Sequence, residues 1–127
     1  MQMLFATLIA FALLAQTGSA PGRVVNLVLP RSLTAEEGVS VELTLGVLER
    51  GAAIKLETTS GRKLGTITTY GIRSGEEAGT YTVPVPPELI SNNRLSLRII
   101  LDQHSRGKRA PTDQELRAVR LQITPRH

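Results

Sequence analysis

The sequence predicts an all-β chain folded as a single two-sheet antiparallel β-sandwich. Three observations carry that expectation. Val39, Val41, Leu43, Leu45 and Val47 occupy every second position of one stretch, so an extended chain turns all five to one wall. Further β-prone runs follow at short intervals, divided by Gly and Pro turns. Residues 21–127 amount to one domain and contain no linker long enough to separate a second core.

The chain opens with an uncharged apolar run, Leu4 to Ala15, followed by the small residues Gly18-Ser19-Ala20. This is the layout of a secretory signal peptide cleaved after Ser19 or Ala20. The run is shorter than the roughly 20 apolar residues that span a bilayer. The expected protein is therefore periplasmic or secreted, and not membrane-spanning once cleaved. With no Cys in the chain, lipid modification of a cysteine and a disulfide framework are both excluded, and packing alone must hold the fold.

Arg23 to Pro30 is the first strand, with Val25, Leu27 and Leu29 on one face. Val24 and Val28 on the other predict cover on both sides. Ser32 to Gly38 is a connector in which Thr34 and Glu37 fit a capping box and Gly38 closes a helical turn. The long alternating strand then runs to Glu49-Arg50-Gly51. Ala53 to Thr59 and Leu64 to Thr69 form a hairpin around Ser60-Gly61. Tyr70 to Ala78 is a Gly-rich loop. Gly79 to Val85 is a strand that Pro84 confines to a sheet edge. Pro86 to Ile90 fits one helical turn, and Arg94 to Asp102 alternates again. Gln103 to Ala110 is a basic, apolar-free loop. Thr112 with Glu115 makes a second capping box before a last strand with Val119, Leu121 and Ile123. Seven strands in about a hundred residues give a jelly-roll or Ig-like sandwich.

The alternating strand is followed by the Lys55 to Ile67 hairpin and then Gly79-Thr80-Tyr81-Thr82-Val83-Pro84-Val85-Pro86-Pro87. Arg94 to Leu101 and Val119 to Ile123 complete the series. In this order the chain resembles the galactose-binding-like jelly-roll family of small sandwiches. The family includes carbohydrate-binding modules, so the resemblance implies extracellular glycan recognition. The chain departs from the usual sugar platform in having no Trp, and only Tyr70 and Tyr81 follow the signal segment.

The chemistry-bearing residues are few. His104 lies in the basic loop, two residues after Asp102, and His127 is the last residue; neither has a nucleophile set in its neighbourhood. Without Cys or clustered His a transition-metal site is excluded, and Glu76, Glu77 and Asp102 are too scattered for a calcium loop. The Gly71 to Gly79 stretch lacks the Lys-Ser/Thr ending of a phosphate-binding loop. The expectation is a non-enzymatic chain with no cofactor and no metal.

The net charge of +4 is concentrated in the C-terminal third, where Arg94 to His127 carry eight Lys and Arg against Asp102, Asp113 and Glu115. That third contains no aromatic residue to stack a base, so nucleic acid is not an expected partner. Two loops remain as ligand-binding candidates: Tyr70, Arg73, Glu76 and Glu77 in the first, and Arg106, Lys108 and Arg109 in the second. The second would meet an anionic surface. The function expected from all this is an exported binding or adhesion module recognising a glycan or an envelope protein. The alternative is a structural or assembly subunit of a cell-envelope complex, docked through a strand edge.

Overall fold

The structure is a computed structural model and describes residues 21–69, 72–73 and 75–125. The expected signal segment, Tyr70 and His127 lie outside the described residues. Eight strands are described: β1 (Arg23–Val28), β2 (Glu37–Val47), β3 (Ala53–Thr58), β4 (Lys63–Thr68), β5 (Glu77–Val85), β6 (Arg94–Asp102), β7 (Lys108–Arg109) and β8 (Leu116–Pro125). Two single 3-10 turns, Pro87–Leu89 and His104–Arg106, precede β6 and β7. Two antiparallel sheets pack face to face as a β-sandwich. The first has the order β1-β6-β3-β4, with β7 paired to the end of β6; the second has the order β5-β2-β8.

The alternation in β2 decides how the layers meet. Val41, Leu43 and Leu45 are almost wholly removed from water. They face Ile54 and Leu56 of β3 and Leu97, Ile99 and Leu101 of β6, all equally buried, in one core cluster. Each such side chain contributes about 1.5–3 kcal/mol on burial. The central strands β2, β3 and β6 hold most of this apolar length, which is why they are central. Pro84 falls on β5, an edge strand of the second sheet, as a residue without a ladder donor must.

Registers define two ends of the sandwich. Arg23 pairs with Ile99, Ala53 with Asp102, and Val47 with Glu77, so β1 and β3 begin where β2 and β6 finish. This is the upper end. At the lower end lie the β3–β4 turn, the start of β6 and the end of β8, where Pro125 pairs with Glu37. Arg23 of β1 reaches Asp113, in the turn before β8, at 2.9 Å.

The structure departs from the sequence reading in five places. Val47, expected on the core wall with Val39 to Leu45, is exposed at the end of β2. Val24 and Val28 are exposed, because no third layer covers the first sheet. The Thr34 amide donates to Glu37 Oε1 at 3.0 Å and the Glu37 amide to the Thr34 carbonyl at 3.2 Å, which closes a single turn, but Glu37 and Gly38 pair with β8, so Gly38 continues as strand and does not end a helix. Glu77 and Ala78 belong to β5, since β2 extends far enough to give Glu77 a partner in Val47. The basic segment after β6 is no open loop. It makes a 3-10 turn and returns as β7, pairing Arg109 with Leu101 and Lys108 with Asp102.

Two glycines permit close approaches. Gly22 (φ +134°) lies against the Arg98 and Ile100 side chains, which a Cβ would strike. Gly46 lies beneath the Gln114 carbonyl and the Arg117 side chain, which crosses β2 to reach Glu77 on β5 at 2.8 Å.

Candidate functional site

Both loops singled out in the sequence gather at the upper end, and most of their charges are turned to internal work. Arg106 pairs with Glu49 of the β2–β3 connection, whose other carboxylate oxygen accepts from Gln103 at 2.7 Å. Arg109 grips Glu115 with two parallel bonds of 2.8 Å, and Glu115 also accepts from the Thr112 amide. The Arg109 fork, with the Thr112 amide, holds the Glu115 carboxyl below the ordinary carboxylate range. Glu77 faces Arg117, and Glu76 accepts from the Arg73 amide at 3.2 Å. Lys108 is exposed and makes no ion pair among the described residues.

Between these loops, Asp102 is buried at the end of β6. The His104 amide donates to its Oδ1 at 2.8 Å and Lys55 Nζ meets its Oδ2 at 3.0 Å; His104 Nδ1 is 3.9 Å from Oδ1. The His104 amide first, then Lys55, hold this carboxyl below its ordinary value. The bond also fixes His104 at φ +55°, which opens the 3-10 turn. Asp102 is thus a brace for the turn, with both oxygens engaged.

Three hollows follow the β3–β4 hairpin along the first sheet. At the upper end one of about 110 Å³ is lined by Lys55, Thr66, Thr68, Thr69 and His104. It shares Lys55 and Thr66 with a second of about 100 Å³, bordered by Glu57 and Lys63. At the lower end a cleft of about 310 Å³ opens between the hairpin turn and the start of β6.

The cleft's walls are hydroxyl-rich, with Thr58, Thr59, Ser60, Ser91 and Ser96, and carry one cation, Arg94. Thr58 Oγ1 is 2.8 Å from Ser60 Oγ and accepts from the Arg62 amide at 3.0 Å, which shapes the hairpin turn. Asn92 and Asn93 both have positive φ, and Ser91 and Arg94 exchange two backbone bonds around them, the type I′ geometry. Ser96 Oγ donates to Asn26 Oδ1 at 2.6 Å. Thr59 and Ser91 are exposed, as are Ser60 and Arg94.

The sequence reading missed this cleft. Its signal was two hydroxyl-bearing turns, Thr58-Thr59-Ser60 and Ser91-Asn92-Asn93-Arg94, but only the pairing of β3 with β6 brings them together. Among the described residues no group of three His, Asp or Glu is placed to hold a metal ion, and no helix is long and apolar enough to cross a membrane. No protein-family model, no curated protein and no solved structure matches this chain.

Proposed function

We propose that this chain is an exported, non-enzymatic binding module that recognises a glycan chain across the β3–β4 hairpin, with the lower cleft as its principal subsite. The observation that carries the reading is the lower cleft, walled by the hydroxyls of Thr58, Thr59, Ser60, Ser91 and Ser96, with two smaller hollows further along the hairpin, the middle one charged and the upper one bearing Thr66, Thr68 and Thr69. Sugars are recognised by hydrogen bonds that alternate donor and acceptor, which Ser and Thr hydroxyls supply in either sense. A cleft of about 310 Å³ lies at the small end of ligand-binding pockets. The apolar export segment and the resemblance to galactose-binding-like sandwiches favour the same reading.

The test is a glycan array probed with the exported protein, followed by Ser60→Trp to fill the cleft from its exposed rim. Binding lost in S60W with thermal stability kept supports the module; an array without signal counts against it. A second reading, an envelope assembly subunit, is favoured by β8, a ten-residue edge strand without Pro before Pro125. Co-purification from the envelope, abolished by Gln122→Pro, is the outcome that reading requires.

A further inference from the structure

Resting on the glycan reading, we propose that the ligand is a linear acidic polysaccharide, one carboxylate seated on Arg94 and another on Lys63. The outward side of the hairpin and β6 carries Lys55, Lys63, Arg94 and Arg98 against Glu57 and Asp102. Lys55 is spent on Asp102 at 3.0 Å, and Arg98 faces Glu57 at 3.8 Å. Arg62, in the turn beside them, meets Glu88. Arg94 and Lys63 are exposed and make no ion pair among the described residues.

Arg94 is surrounded by the hydroxyls of the cleft. Its planar fork matches a carboxylate with two parallel bonds, while Ser and Thr neighbours take the adjoining ring hydroxyls. Lys63 borders the middle hollow. The two lie two strands and about four residues apart, roughly 16 Å between backbones at ordinary strand spacings. That span exceeds one sugar ring and fits repeated charges on a chain.

Among the described residues stacking offers no substitute. The described aromatic, Tyr81, is on β5 of the other sheet, and its hydroxyl donates to the Ala78 carbonyl. At the lower cleft, charge and hydrogen bonds are what the described residues supply. The candidate basic segment at the upper end offers less, since Arg106 and Arg109 already hold Glu49 and Glu115 and Lys108 alone is left, away from the hydroxyl-walled cleft.

The test is affinity electrophoresis of the purified protein through polygalacturonate and, in parallel, through dextran, at low and high salt. Retardation by polygalacturonate that fades with salt is expected. R94Q and K63Q should each weaken it, and the double variant by about tenfold or more. R120Q, on the other sheet, should leave it unchanged, and circular dichroism should show every variant folded. Equal retardation by dextran would overturn the acidic assignment while leaving the glycan reading standing. Retardation by neither polymer sinks both. A K108Q loss as large as that of R94Q, which would move the site to the upper basic segment, overturns the placement, as does an R120Q loss of that size or binding to phosphatidylglycerol vesicles without binding to polygalacturonate.

Discussion

Glu37 shows how one side chain can fix a connection without building a regular element. Its two oxygens take both arms of Arg31, at 2.7 and 2.5 Å, and Oε1 also accepts from the Thr34 amide. The Arg31 fork first, and the Thr34 amide after it, lower its pKa from 4.5 to about 2. A carboxyl whose folded pKa is depressed contributes stability in full above its unfolded value, and loses it as pH falls through the folded one. The Glu37 contribution should therefore be intact above about pH 4.5 and vanish as pH falls towards 2. Arg31→Ala should move the Glu37 titration, followed by carboxyl-resolved NMR, upward towards the ordinary value. A titration unmoved by that change would remove Arg31 as the cause.

The strands β2 and β6 carry the fold, and the consequences can be measured at single positions along them. Leu43 and Leu97 are fully buried, so truncating either to Ala should cost about 2–5 kcal/mol in denaturant unfolding. Glu42, between two core residues but facing out to Arg120 at 2.7 Å, should cost less than about 1 kcal/mol on truncation, as exposed ion pairs do. Equal costs for Glu42→Ala and Leu43→Ala would mean that the faces are interchanged. The turn before β6 makes a separate demand. Asn93 has φ +61°, a region that costs an ordinary L-residue about 1–2 kcal/mol, so Asn93→Val should destabilise by about that amount. Asn93→Gly should be neutral or stabilising in the same unfolding measurement.

At the scale of the molecule, what could be read from the chain was whatever depends on neighbours in sequence. The alternation of Val39 to Leu45, the hairpin around Ser60-Gly61 and the edge position implied by Pro84 are all local, and all stand in the structure, while Val47 at the end of the run is exposed. The solvent-facing side of β1 was misjudged because Val24 and Val28 are apolar, and hydropathy alone does not say whether a third layer exists. The partners of Arg106 and Arg109 were invisible for a related reason. Glu49 lies more than fifty residues before Arg106, and the Arg109–Glu115 fork requires β7 to fold back on β6. Clefts on a sandwich are assembled across strands, so the one at Arg94 had to await the strand order.

The chain enters the sandwich at the upper end through β1 and leaves at the lower end through β8, and these strands belong to different sheets. A force applied between the two entry points acts along the strands. It loads the β1–β6 and β8–β2 ladders in shear, with every rung sharing the load at once. Pulling apart two points at the same end, such as the outer ends of β3 and β4, would instead open one rung at a time. Single-molecule stretching between residues 21 and 125 should therefore give one high-force rupture. Handles at Arg50→Cys and Thr68→Cys, unique in a chain without cysteine, should yield at much lower force. The sandwich would thus resist most strongly along its own strands and yield most easily across one end.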